Sequence, residues 1–438
     1  MNITFIGTGY VGLVSGVMLS YLGHNVTCLD TDSTKIVQLK NNILPIYEPK
    51  LAELLPSLTQ SGKLKFVDAY STELQNSRAV FITVGTPPLP SGEADLQYIF
   101  VSIDNLCEMV REDCLIVIKS TVPPTTCNKI IDYLQKKKLK FSIASNPEFL
   151  REGSAVDDFL NPDRILIGTN DKRSEDLLKE IYLPLTSKNI AIVSTDLVTA
   201  ELAKYVSNAF LATKIAFTNE MTDLSRGIGA NAKELFTIVG LDTRIGKAFL
   251  NAGPGFGGSC FPKDISALLQ ISKHYHLDSK ILNAVICSNT QRLHNMVDNI
   301  YQIIGKDLST KNITVLGVTF KAGTDDIRNS PAIQIIQTLL DNGAKITIFD
   351  PVGLDNAQKY LESLGYKNLS YADSAVSACQ NSDIIVISTE WSEFKDLDWS
   401  HIYSKVKSPI IMDLRDILDA SKLKDIGFRY YSIGLKHE

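Results

Sequence analysis

Cys260 stands in the run Gly253-Pro254-Gly255-Phe256-Gly257-Gly258-Ser259-Cys260-Phe261-Pro262-Lys263-Asp264. Four glycines in six residues bring the backbone close to a neighbour and strip bulk from around one sulfur. Lys263 and Asp264 follow where a helix is expected to begin, and helix amides with a nearby cation favour the thiolate. A thiolate there is a nucleophile for covalent catalysis. A second chemical motif opens the chain. Gly7-Thr8-Gly9-Tyr10-Val11-Gly12 follows an apolar stretch and leads into a helical pattern, a spacing that sets a pyrophosphate against helix amides. Asp30 closes the next apolar stretch, eighteen residues after Gly12, where a carboxylate binds a ribose hydroxyl pair and repels a 2′-phosphate. NAD is therefore expected over NADP. A dinucleotide and a nucleophilic thiol together suggest oxidation through a covalent intermediate.

Other residues are placed for chemistry. Gly85-Thr86-Pro87-Pro88 and Ser120-Thr121-Val122-Pro123-Pro124 each follow an expected strand, at the end where such sheets deliver ligand contacts, although either would also serve as a rigid proline turn. Asn146-Pro147-Glu148-Phe149-Leu150-Arg151-Glu152-Gly153 sets two carboxylates four residues apart after another strand end; alone, these would pass as surface charges. Lys204 and Asn208 are one turn apart on an expected helix and share a face. On so apolar a helix the lysine must either snorkel outward or meet an anion, and the pair would suit a developing oxyanion. None of His24, His274, His276, His294, His401 and His437 falls in these motifs, so carboxylates or lysines must move the protons. His274 and His276 read as surface residues. The six other cysteines read as buried and inert.

The elements that must hold these residues follow from pattern. Strands are expected at Asn2–Ile6, Asn25–Leu29, Ala79–Val84, Leu115–Lys119 and Phe141–Ala144, with more at Arg164–Gly168 and Ile190–Val193. Alternation with helices implies a doubly wound parallel sheet. From Leu197 to Gly227 there is no proline and no glycine before the end, and apolar residues occur on nearly every side, which predicts a long helix buried between partners. It opens an all-helical stretch to about Ile304. The first plan then repeats: Ile313–Gly317 echoes Ile3–Gly7, Ile346–Asp350 echoes Val26–Asp30, Asp383–Ser388 echoes Ala79–Val84 and Ile410–Asp413 echoes Leu115–Lys119. The second copy lacks the three-glycine fingerprint and should hold a different ligand. The α/β reading is two Rossmann-like domains, 1–196 and 305–438, joined by a helical middle domain, 197–304.

A chain of 438 residues with a net charge of −5 and no long basic run gives nothing that would favour nucleic acid. Lys136–Lys138 reads as a solvated helix end. The seven cysteines include no C-x-x-C pair or Cys/His cluster, so no metal site is expected, and a reducing, cytoplasmic setting fits. No signal peptide or membrane span is expected.

Taken together these motifs resemble the UDP-glucose 6-dehydrogenase family, within the nucleotide-sugar dehydrogenases. The resemblance runs from Gly7 to about Pro331 and includes Phe320-Lys321 and Asp325-Asp326-Ile327-Arg328. It implies a four-electron oxidation of UDP-glucose to UDP-glucuronate using two NAD, with Cys260 holding a thiohemiacetal and then a thioester. By position, Lys204 and Asn208 resemble oxyanion stabilisers, Asp264 and Thr121 water organisers, and Glu148 the base for thioester hydrolysis. Gly7, Gly9, Tyr10, Val11, Gly12, Asp30, Lys35, Thr86, Thr121, Glu152, Lys263 and Arg328 resemble cofactor contacts. Phe149, Leu150, Arg151, Glu152, Lys204, Asn208, Phe249, Leu250, Asn251, Gly253, Gly257 and Lys321 resemble substrate contacts. Arg244 resembles an arginine that reaches into a partner subunit, which implies a homodimer built on the central helix. Siblings that oxidise GDP-mannose or a UDP-N-acetylhexosamine share this pattern; Arg164 and the Phe149–Glu152 run lean toward UDP-glucose. A non-catalytic NAD-binding protein would not need Cys260 or Lys204, and a two-electron dehydrogenase would not need the thiol. The chain departs from the family pattern at Pro124-Thr125-Thr126, where a glycine-containing turn is expected, and at Ala322-Gly323-Thr324.

Overall fold

The computed structural model describes residues 1–186 and 190–436, so His437 lies outside the described residues. The chain divides into two compact units. One is Met1–Ser207 with Ser266–Tyr275; the other is Asn208–Ile265 with the chain from His276 on.

The first unit is built on a sheet of β1 (Asn2–Ile6), β2 (Asn25–Leu29), β3 (Leu64–Val67), β4 (Ala79–Ile82), β5 (Leu115–Ile118), β6 (Ser142–Ser145), β7 (Arg164–Thr169) and β8 (Ala191–Thr195). Its order is β3-β2-β1-β4-β5-β6-β7-β8. Six strands run parallel; β7 meets β6 antiparallel and carries β8 with it, so the expected parallel sheet ends in a reversed pair. Strand order reverses at β1 and β4, the point where open α/β sheets form a ligand crevice. The central strands β4 and β5 are buried throughout, as strands covered on both faces must be. Alternate side chains feed two cores: Phe5, Phe81 and Val117 into one, and Ile6, Ile82 and Ile118 into the other. The rings of Phe5 and Phe81 stack with centroids 4.8 Å apart.

The second unit repeats the plan with β9 (Asn312–Leu316), β10 (Lys345–Phe349), β11 (Leu369–Tyr371), β12 (Ile384–Ile387), β13 (Ile410–Asp413) and β14 (Arg429–Ser432). The order β11-β10-β9-β12-β13-β14 matches the first six strands of the other sheet, and every pairing is parallel. The sequence reading had no β3, β11 or β14. These are short, and each mixes polar or charged residues with apolar ones, so they form only because a neighbouring strand supplies the ladder.

The long helix is present from Leu197 to Ile228, and helices at Ala232–Gly240, Phe261–His274 and Lys280–Ile304 follow it. Within the single chain it is buried on one side only. Leu202, Val206, Phe210, Phe217 and Leu224 are exposed, Phe210 at 65 %. These positions recur at intervals of four and seven, so they form a stripe along one side, while Tyr205, Ala209 and Ala212 are buried on another. The cysteine reading also needs correction: Cys28, Cys114, Cys127 and Cys379 are buried, but Cys107 is half-buried and Cys287 exposed, because it falls on an outward position of the Lys280–Ile304 helix. His274 and His276 are exposed as expected. Among the described residues, no helix is long and apolar enough to cross a membrane.

The departure at Pro124-Thr125-Thr126 has a physical resolution. Thr125 adopts φ 77°, the left-handed conformation that glycine takes without penalty, just before the helix Thr126–Lys136. The carboxylate of buried Glu201 accepts from the Thr125 amide at 2.6 Å and the Cys127 amide at 2.7 Å, and so holds the strained turn and caps the helix. Thr125→Gly should raise stability in urea unfolding by about 1 kcal/mol, because the left-handed penalty of a β-branched residue exceeds the entropy that glycine adds to the unfolded chain. A loss of stability would show that the turn is not strained.

Candidate active site

At the head of the first unit, glycine is required twice by close approach. A Cβ on Gly7 would lie 2.8 Å from the Thr83 carbonyl oxygen, and one on Gly12 would lie 2.0 Å from the Gly7 carbonyl oxygen. Gly9 has nothing within 4 Å of where its Cβ would be, so that backbone faces open space. The helix Tyr10–Tyr21 begins at Gly9 with no side-chain cap and no acid in its first turn. Its leading amides are thus available to an anion, and the residues fit a dinucleotide pyrophosphate. Asp30 immediately follows β2 and accepts from the Thr8 amide at 2.8 Å, the Thr8 hydroxyl at 2.7 Å and the Asp32 amide at 3.0 Å, with Lys35 at 3.9 Å. Burial raises the Asp30 carboxyl, but these amides, the hydroxyl and Lys35 outweigh it and hold it below its usual value. An ionised Asp30 is what favours NAD over NADP. The Tyr10 hydroxyl donates to Glu48 and accepts from the Gly153 amide, which pins Tyr10 to the Glu152-Gly153 turn; Val11 is half-buried beside it. Thr86 is buried and donates to the Thr121 carbonyl at 2.8 Å, and Ser120 donates to the Val84 carbonyl at 2.7 Å. The loops after β4 and β5 are therefore tied to each other.

Beyond β6 lies a buried ion pair. Lys204 Nζ is 2.9 Å from Glu148 Oε1, and both side chains are only 6 % exposed. The lysine on the apolar helix has met an anion rather than snorkelling out. The Leu150 amide donates to Glu148 Oε2 at 2.6 Å. Burial would raise the Glu148 carboxyl, yet Lys204, the Leu150 amide and the more distant Lys119 hold it below its usual value. The Phe149 ring carries Arg164 at 3.8 Å from its centroid and Lys204 at 5.4 Å. Arg151 turns instead to Asp158, at 2.5 Å. Sequence reasoning gave no role to Lys119 and Tyr182 here, and quoted Asn146 only as the start of the Glu148 motif. Lys119 is buried just beyond β5, with Nζ 3.0 Å from Asn146 Oδ1, which also accepts from the Tyr182 hydroxyl at 2.6 Å. Burial pushes the Lys119 ammonium down to about 8. The available signal was a lysine closing the otherwise apolar run Leu115-Ile116-Val117-Ile118.

In the second unit, Cys260 is exposed and stands immediately before the helix Phe261–His274. Its carbonyl accepts from the Asp264 amide at 2.9 Å, and Ser259 Oγ lies 3.6 Å from its sulfur. The residues Gly253–Gly258 that lead to it are all buried. A Cβ on Gly257 would lie 2.2 Å from the Asn329 carbonyl oxygen, so only glycine fits there. Asp264 is 1 % exposed and bridges Asn208 Nδ2 at 2.6 Å and Lys263 Nζ at 2.5 Å. Lys204 and Asn208, one turn apart on one helix, thus meet different carboxylates. Phe249 takes φ 64° and its ring lies 6.3 Å from that of Phe261; Leu250 is buried and Asn251 exposed. Lys321 lies over the Phe320 ring at 5.8 Å. Arg328 is exposed and paired with Asp326, and its carbonyl accepts from the Gly258 amide at 2.9 Å. Arg244 is 87 % exposed and paired with Asp242.

The second sheet ends differently at the position that echoes Asp30. Asp350 Oδ2 accepts from the Val318 amide at 2.7 Å and from Trp391 Nε1 at 3.1 Å, and Oδ1 from the Gly353 amide at 2.7 Å. At 2 % exposure that carboxylate is spent on its own loop, so the second unit does not offer the ribose contact of the first.

Comparison with known proteins places this arrangement. Residues 1–186 match the NAD binding domain of the UDP-glucose/GDP-mannose dehydrogenase family, residues 198–291 its central domain and residues 314–420 its UDP binding domain. The chain belongs to the UDP-glucose/GDP-mannose dehydrogenase family. It is similar to a UDP-glucose 6-dehydrogenase of Rickettsia bellii, 61 % identical over all of both chains. The structure of a UDP-glucose dehydrogenase from Pyrobaculum islandicum matches with a TM-score of 0.90 at 34 % identity, over 99 % of this chain and 98 % of that one. A UDP-D-ManNAc dehydrogenase from Pyrococcus horikoshii matches at 0.87 and 27 %, over 99 % of each. Like the rest of its family, this chain is an NAD-dependent oxidoreductase, with NAD bound by the first unit.

Within this family member, Lys119 makes pH a probe of the buried charges. Between about 8, where the folded ammonium titrates, and its ordinary 10.5, the unfolded chain binds the extra proton. Wild-type stability relative to Lys119→Met should therefore rise with pH across that window, by roughly 1.4 kcal/mol per unit. Urea unfolding of both proteins from pH 7 to 10 measures it; a constant gap would mean that Lys119 titrates normally.

Proposed function

We propose that this chain oxidises UDP-glucose to UDP-glucuronate in two rounds, with Cys260 holding the sugar between them. The observation that carries the reading is the exposed Cys260 thiol at the head of its helix, at the end of a buried glycine loop, in a chain with an NAD-binding unit. The names of the relatives at 61 % and 34 % identity support UDP-glucose as the substrate. The three-part division 1–196, 197–304 and 305–438 belongs to the same proposal and is supported by the three matched domains.

NAD, when bound, accepts a hydride in each round. The C6 alcohol first loses a hydride and a proton to give an aldehyde. The Cys260 thiolate adds to its carbon, and the oxygen takes a proton to give a thiohemiacetal. That carbon loses the second hydride and its oxygen the proton, leaving a thioester. Water then breaks the carbon–sulfur bond, returning the thiol and releasing the carboxylate. Lys204 and Asn208 donate to the oxygen that bears developing negative charge. Asp264 and Thr121 orient the water. Glu148, held ionised at neutral pH by Lys204 beside it, takes the proton from that water and becomes the neutral acid. Tyr10, Asp30, Lys35, Thr86, Glu152, Lys263 and Arg328 contact the cofactor; Phe149–Glu152, Phe249–Asn251, Gly253, Gly257 and Lys321 contact the sugar nucleotide.

The exposed stripe of Leu202, Val206, Phe210, Phe217 and Leu224 supports a homodimer along the central helix, and the exposure of Arg244 supports its insertion into a partner's site. A cytoplasmic setting is supported by seven cysteines without a disulfide.

Purified protein should yield about two NADH per UDP-glucose at completion, by electron count on the thioester scheme, and Cys260→Ser should stall before uronate appears. One NADH per sugar, or full uronate formation by Cys260→Ser, would overturn the covalent route. Preference for GDP-mannose or a UDP-N-acetylhexosamine in the same assay would move the substrate to a sibling. Light scattering should give twice the chain mass of 48.3 kDa, and Phe210→Asp should halve it; a monomeric wild type would remove the dimer.

A further inference from the structure

A loop of four glycines has almost no side chains with which to pack, and its conformational entropy is high. Something outside it must set where Cys260 lies. The backbone of this loop is held at three points within the second unit. Gly253 has both of its groups taken by side chains: its amide donates to Asn219 Oδ1 at 2.9 Å, and its carbonyl accepts from Arg292 Nε at 2.9 Å. Phe256 is held the same way by one residue, its amide donating to Asn289 Oδ1 at 2.8 Å and its carbonyl accepting from Asn289 Nδ2 at 3.1 Å. Gly258 closes the set, donating to the Arg328 carbonyl at 2.9 Å and accepting from Asn329 Nδ2 at 3.2 Å.

Two of the three grips come from the Lys280–Ile304 helix, where Asn289 and Arg292 are three residues apart and so share a face. Between the gripped residues lies Gly255 at φ 130°, and a Cβ there would sit 2.9 Å from Asn289 Oδ1, so loop and amide are in close contact. Arg292 is 3 % exposed and is itself fixed, with Nη1 2.5 Å from Asp223 Oδ1 and 3.4 Å from the Asn219 carbonyl. Asp223 Oδ2 is in turn held by Asn295 at 3.2 Å. A buried guanidinium is costly to place, and this one spends its Nε on a single loop carbonyl.

We infer that Asn289 and Arg292 are positioning residues for the nucleophile: they clamp Gly253 and Phe256 and so set the register from which Cys260 attacks. The inference deepens the covalent reading above and rests on it for its kinetic arm. Neither residue touches the reacting atoms; each acts through the loop. A displacement of this kind falls on the chemical step more than on cofactor binding, because a misplaced nucleophile loses alignment while the dinucleotide site is untouched.

The test uses Asn289→Ala, which removes a half-buried amide without stranding a charge, and Arg292→Lys, which keeps the cation opposite Asp223 but cannot reproduce the guanidinium's paired bonds. In each variant kcat should fall by about tenfold or more while KM for NAD stays within about twofold. A second readout needs no substrate. Exposed Cys287 lies in the same chain as Cys260 and serves as an internal reference for alkylation by iodoacetamide. The ratio of Cys260 to Cys287 labelling, measured by peptide mass spectrometry, should change by about threefold or more in both variants, taking thiol reactivity to follow its local setting. Unchanged labelling ratios and unchanged kcat per folded molecule in both variants would overturn the inference. Failure of wild type to give two NADH per sugar would count against the covalent reading alone, since the labelling ratio reports on the clamp whatever the substrate is.

Discussion

A charge carried on an apolar helix must be answered, and in this chain the answer organises the first unit. Lys204 lies among buried neighbours, where an unpaired ammonium would be costly. Glu148 meets it at 2.9 Å. That requirement sets where the loop after β6 must run. It brings Phe149 under Arg164 and Lys204, and it leaves Asn146, two residues earlier, to satisfy Lys119 and Tyr182. Two buried cations around one carboxylate leave an excess of positive charge beside the Glu148 loop. The same field keeps Glu148 ionised despite its burial, which is the state a proton acceptor needs.

One strand plan is used twice, with opposite treatment of the acid that follows the second strand. In the first unit Asp30 keeps part of its side chain exposed and sits beside a glycine turn that faces open space at Gly9. In the second, Asp350 is buried and its oxygens are consumed by amides and an indole of its own loops. The folding pattern is the same, and the difference in ligand follows from which lone pairs are left over. The family match, with an NAD binding domain over residues 1–186 and a UDP binding domain over residues 314–420, follows that division.

Thr125 shows how local chemistry is replaced by tertiary chemistry. The sequence lacks the glycine that a left-handed turn calls for, and that absence is readable. The compensation is not, because Glu201 lies 76 residues away in the chain and reaches back to the Thr125 and Cys127 amides. The thiol loop follows the same logic: its glycines are visible as composition, but the side chains that hold them, Asn219, Asn289 and Arg292, come from helices on either side of it in sequence.

The sequence by itself determined the repeated α/β plan, the long helix, the dinucleotide turn with Asp30 and the thiol loop, because each is a matter of local spacing: periods of two and of about 3.6, and glycine at fixed intervals. It did not reach β3, β11 or β14, whose residues form strands only when a neighbour offers its edge. It also showed the long helix as apolar on nearly every side but not which side the chain itself covers: the fold buries Tyr205 and Ala209 and leaves Val206 and Phe210 outside. Only the tertiary structure decided that Lys204 pairs with Glu148, that Asn208 pairs with Asp264, and that Lys119 is buried. Burial and pairing depend on which distant segments share a dielectric environment, and a linear pattern carries no record of that distance.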